Sequence, residues 1–131
     1  MIKKQLNILI NMAIIDRDLD EAEMNRIYQI GMANGLERAE IQDMIEKPTP
    51  IESLNTLTED EKFEYLYAVI QLMKTDGKVF KSEIVYCQDL AEKLGYKRGV
   101  VAELSSKIYS DPTITADRDM LREKAHSYYT G

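Results

Sequence analysis

The chain nearly repeats itself at a spacing of 60 residues. Sliding residues 6–44 onto 66–104 gives identities at Leu6/Leu66, Ile10/Ile70, Asp16/Asp76, Glu23/Glu83, Gly35/Gly95 and Arg38/Arg98. Between them the apolar positions agree in kind: Leu9/Val69, Met12/Leu72, Leu19/Val79, Met24/Ile84, Ile30/Leu90, Ile41/Val101 and Met44/Leu104. The alignment needs no gap. Matched apolar positions in step with one glycine and two acids read as two copies of a single helical unit. Such a chain is expected to fold as one domain over residues 1–131, with repeat one at about 2–46 and repeat two at about 59–109. An extra helix at about 115–128 has no counterpart in the first copy.

Periodicity supports an all-α bundle of about seven helices. Ile2, Leu6, Leu9, Ile10 and Ala13 share one face of a helix over about 2–15. Asp16-Arg17-Asp18-Leu19-Asp20 forms the turn. A second helix opens at Asp20, with Glu23 placed as its capping-box partner, carries Met24, Ile27, Tyr28 and Gly31 inward, and ends at Gly35. A third covers about 37–46 and stops before Pro48 and Pro50.

Thr58 and Glu61 make another capping box. The helix they open turns Phe63, Leu66, Val69, Ile70 and Met73 inward and runs to about 75. Helices at about 81–94 and 97–109 follow, and the last one is expected to pack through Met120, Leu121 and Ala125. No stretch alternates with period two for long enough to make a strand.

The duplicated turns carry the candidate chemistry. Each copy reads Asp, two residues, an apolar residue, three residues, then Glu: Asp16–Leu19–Glu23 and Asp76–Val79–Glu83. Several carboxylates on adjacent helix ends are what a hard cation such as Ca²⁺ or Mg²⁺ requires. Candidate ligands are Asp16, Asp18, Asp20 and Glu23 in the first copy, and Asp76 and Glu83 in the second.

An EF-hand is excluded by its own spacing. After Asp16-x-Asp18-x-Asp20, position six is Glu21 where glycine is needed, and position twelve is Ile27 where a bidentate glutamate is needed. The second copy has Lys78 and Phe80 at positions three and five. The competing reading is that these acids only stabilise helix starts, Asp20 as N-cap and Glu23 as its partner.

An all-α duplication carrying Asp-Gly-x-apolar-x-x-x-Glu resembles the tellurite-resistance TerB family, whose relatives include a module of some DnaJ-like co-chaperones. The segment Thr75-Asp-Gly-Lys-Val-Phe-Lys-Ser-Glu83 matches well, and the resemblance spans about residues 5–105. In the first copy Arg17 stands where the family has glycine, and a left-handed conformation there would cost roughly 1 kcal/mol. No J-domain follows, so the co-chaperone variant is not expected. The resemblance implies a bacterial module tied to stress or metal responses. Asp16, Glu23, Asp76 and Glu83 then bind metal or a partner, with Gly77 as turn former.

Other chemistry is sparse. A net charge of −6 without a dense basic run argues against nucleic acid, which demands a positive surface. Cys87 is the single cysteine and falls on an apolar stripe, so a packing role is expected and a disulfide framework is not. His126, the single histidine, lies far along the chain from Cys87 and from the acids, so a Cys-His dyad is not expected. Tyr128 and Tyr129 read as tail contacts, and the methionines as core fillers.

The apolar start Met1–Ile10 is broken by Asn7, is followed by Asn11 and has a counterpart inside the chain, so it is not read as a secretory signal. No segment approaches the ~20 apolar residues of a membrane span, and a cytoplasmic location is expected. Together these features point to a non-enzymatic binding module for a divalent cation or a protein partner. The alternatives are a metal-dependent hydrolase using the same carboxylates, or an interaction domain whose acids are only caps.

Overall fold

The computed structural model describes residues 2–15, 20–51, 54–74, 81, 83–108 and 117–130. They form seven α-helices: α1 (Ile2–Ile15), α2 (Glu21–Ala33), α3 (Arg38–Glu46), α4 (Glu59–Lys74), α5 (Ile84–Lys93), α6 (Val100–Ser105) and α7 (Arg118–His126). A 3-10 turn, Leu54–Thr56, precedes α4. Among the described residues the sole β pairing is one antiparallel bridge, Tyr96 to Tyr129. No described helix is long and apolar enough to cross a membrane.

The central pair is α1 against α4. Helices α2 and α3 pack on α1, and α5, α6 and α7 pack on α4. Leu6, Leu9, Ile10 and Ala13 of α1 are buried, as are Phe63, Leu66, Val69, Ile70 and Met73 of α4. Ile8 and Met12 are buried too, because α1 is covered on more than one side. The asparagines that interrupt its apolar run have a use. Asn7 exchanges two hydrogen bonds with the Thr49 backbone, at 3.0 and 3.1 Å, and Asn11 donates to the same carbonyl at 2.9 Å. They hold the segment between Pro48 and Pro50 against α1 and satisfy backbone groups that no helix serves.

Helices α2 and α5 stop in the same way. Gly35 (φ 88°) and Gly95 (φ 91°) take left-handed conformations. Leu36 N–H then reaches Gly31 O at 3.1 Å, and Tyr96 N–H reaches Ala91 O at 3.0 Å, the long bond of a Schellman stop. Open space surrounds the position of a Cβ on Gly35. The penalty for Gly35→Ala is therefore one of backbone conformation, about 1 kcal/mol. Urea denaturation should show a similar loss for Gly95→Ala, and no loss at either would mean the stops are not needed.

The Thr58/Glu61 box closes as expected: Thr58 N–H donates to Glu61 Oε1 at 3.0 Å and Glu61 N–H to Thr58 Oγ1 at 3.2 Å. Three expectations need correction. Helix α6 covers only Val100–Ser105 rather than about 97–109. Its start is replaced by turn bonds, Val100 N–H to Lys97 O among them, while Lys97 N–H is bound to Tyr128 O. At its end the Lys74 ammonium takes the Ser105 and Ile108 carbonyls. Helix α5 begins at Ile84, with Glu83 as its N-cap residue. Met120 is 41% exposed, so α7 is seated by Leu121 and Ala125 alone of the three residues expected to face inward.

Arginines fasten α7 to α4. Arg118 lies 4.2 Å over the Tyr67 ring and Arg122 lies 5.4 Å over Phe63, and both pair with Glu64. Tyr129 packs on Tyr96 at 5.2 Å and accepts from Lys62 at 2.9 Å, so the closing tyrosines are structural contacts. Met12 and Met73 fill the core, Met24 and Met44 are half-buried, and Met32 is exposed.

Candidate functional site

Asp20 ends the first acidic turn and caps α2, its Oδ1 accepting from Glu23 N–H at 2.8 Å. Half of the expected capping box is thus present. The Glu23 carboxylate is used elsewhere. Its Oε2 lies 2.7 Å from Arg26 Nη1, one helical turn on, and its Oε1 accepts the Tyr86 hydroxyl of α5. Glu83 reaches the same arginine from the other side, Oε2 to Nε at 2.7 Å. This contact is an ion pair without an aligned N–H, because Arg26 Nε makes no hydrogen bond of good geometry. The guanidinium also lies 4.4 Å over the Tyr86 ring.

Four side chains therefore join the first turn of α2 to that of α5. Their positions match at the 60-residue spacing, Glu23 with Glu83 and Arg26 with Tyr86. The glutamates are largely buried, at 9% and 12% side-chain exposure, whereas Arg26 is open at 34%. Two carboxylates against one guanidinium leave one negative charge unbalanced. Burial opposes the charge on Arg26, but Glu83 and then Glu23 outweigh it and raise its pKa. Burial, reinforced by the bond to Glu23, pushes the Tyr86 phenol well above its usual range, so it remains a hydrogen-bond donor.

Of the six candidate ligands, the structure brings Glu23 and Glu83 together and assigns Asp20 to capping. Asp16, Asp18 and Asp76 lie outside the described residues. Among the described residues no three His, Cys, Asp or Glu side chains are grouped to hold a metal. Sequence reasoning missed Arg26 and Tyr86, although each stands three residues beyond a matched glutamate, the spacing at which helix neighbours meet.

Cys87 is buried, with Sγ 2.9 Å from Met73 Sδ. Burial, with the nearby Glu83 charge second, pushes its thiol up to about 12, which fits an inert packing residue. His126 is exposed and places Nδ1 2.5 Å from Glu59 Oε2. Comparison of the chain with protein-family models, curated proteins and solved structures finds no match.

Proposed function

We propose that this chain is a non-enzymatic, TerB-like binding module built from two tandem copies of one three-helix unit plus α7. It presents an acidic patch from its two matched turns to a divalent cation, Ca²⁺ or Mg²⁺, or to a protein partner. The observation that carries this reading is the meeting of Glu23 and Glu83 at Arg26. It fixes the starts of α2 and α5 side by side, and in sequence both acidic turns lead into those starts. The matched stops at Gly35 and Gly95 support the duplication. Glu23 and Glu83 already have an internal counter-ion, so they serve as the frame. The ligands for an added cation fall to Asp16, Asp18 and Asp76, and to the Asp20 carboxylate oxygen that does not cap α2.

Titration calorimetry and thermal melts test this. Millimolar Ca²⁺ should raise the melting temperature through preferential binding to the native state. The double variant Asp16→Asn/Asp76→Asn should lose that shift and keep its helical circular dichroism. Neither heat nor a shift in the unmodified chain would remove the cation from the reading and leave a protein partner as the remaining ligand.

A further inference from the structure

Helix α7 is held to the bundle by contacts of a different kind from those inside it. Helix α4 buries nearly every residue from Leu66 to Met73, whereas α7 buries Leu121 and Ala125. The remaining fasteners are charged. Arg118, Arg122 and His126, spaced by four residues and so on one face of α7, meet Glu64, Asp60 and Glu59 of α4. Lys124 reaches Glu103 of α6 at 3.4 Å. Every side chain in these pairs is at least 29% exposed, so water and salt weaken each of them.

The tail beyond α7 is tied in with it. Lys97 N–H donates to Tyr128 O at 2.8 Å, and Thr130 N–H donates to Gly95 O at 2.7 Å. What lies beneath is aromatic. Arg118 covers the Tyr67 ring, Arg122 the Phe63 ring and Tyr129 the Tyr96 ring, and all three covered residues are buried. Local opening of a folded chain starts at elements with few buried apolar contacts and solvent-exposed polar ones. By that criterion α7 and its tail stand well below the α1–α4 pair.

We propose that residues 117–130 form a strap that lifts as one unit from the folded bundle. Rising ionic strength releases it, and its release bares an aromatic face made by Phe63, Tyr67 and Tyr96. In the closed form the cationic face of α7 fills the surface that opening exposes. Glu64 is the main latch, because Arg118 and Arg122 share it. Losing it leaves Arg118 with no acidic partner among the described residues, while Arg122 keeps Asp60 and Asp119. This inference is independent of the cation reading, whose frame is the starts of α2 and α5.

The test is native-state amide exchange on the full chain, followed by NMR at a single pH in about 10 mM and about 1 M NaCl. Between these the screening length falls from roughly 30 Å to roughly 3 Å. The amides of α7, with those of Lys97 and Thr130, are expected to share one opening that becomes on the order of tenfold more frequent in the higher salt. Amides from Leu66 to Met73 should keep their protection. Acetylation of Tyr96 by N-acetylimidazole should rise in parallel with the opening. Glu64→Gln should open the strap roughly three- to tenfold more often at low salt and flatten the salt response, and Glu46→Gln on α3 should do neither. Exchange of α7 only together with α4, an opening indifferent to salt, unchanged acetylation of Tyr96, or a Glu64→Gln response matching that of Glu46→Gln would overturn the proposal.

Discussion

Replacing Arg26 with alanine should destabilise the fold by about 2–3 kcal/mol. Removing one member of a fully buried ion pair costs roughly 3–5 kcal/mol, because the remaining charge is stranded. Here a third of the Arg26 side chain reaches solvent, which screens the two glutamates it would leave behind. Glu23→Gln and Glu83→Gln should each cost less, about 1 kcal/mol, since Arg26 keeps one partner in either case. A pure capping role makes a different forecast, with a loss for Glu23→Ala and clearly less for Glu83→Ala.

The pairing can be measured by a double-mutant cycle in urea. Arg26→Ala/Glu83→Gln should be less destabilised than the sum of the single changes, because one stranded charge has gone with its partner. Strict additivity, with Arg26→Ala costing under about 0.5 kcal/mol, would show that the four side chains are neighbours without being coupled.

Stability should fall on the alkaline side, beginning near pH 9. The Cys87 thiol has its ordinary value at 9.0 and is raised to about 12 in the fold. A group with a raised folded value contributes fully below its unfolded value, and the contribution is lost as pH rises through the folded one. The window is thus about pH 9 to 12, and the effect at its upper end is on the order of 4 kcal/mol. Burial also raises the Tyr86 and Tyr96 phenols above 10.0, which steepens the decline above pH 10. Lys74, lowered by burial, works in the opposite sense and reduces the net slope. Urea midpoints between pH 7 and 11, beside tyrosinate absorbance, provide the check. Cys87→Ala should flatten the curve between pH 9 and 10. Constant stability across the whole range would mean that the thiol and both phenols reach water freely.

Features whose causes are local could be read from the chain. The inward stripe of α4 follows from side-chain period, the Thr58/Glu61 box from two residues three apart, and the stops at Gly35 and Gly95 from a single residue with a free φ. Features whose partners are distant in sequence could not. Arg26 is an ordinary surface-type residue until α5 brings Glu83 to it from 57 positions away. The truncation of α6 depends on Lys74, 31 positions before the carbonyl it takes. Glu23 suggested a cap because the local pattern was complete, and interhelical contact redirected its carboxylate. The candidate site was legible as a pair of matched glutamates, while the charge that unites them was not.

The quartet of Glu23, Arg26, Glu83 and Tyr86 also constrains how such a chain can drift. Losing a glutamate first leaves Arg26 with one partner, which is tolerable. Losing the arginine first strands two acids, which is not. Substitution is therefore expected to run acid before base. Descendants lacking the arginine should be confined to lineages in which at least one of the acids has already gone.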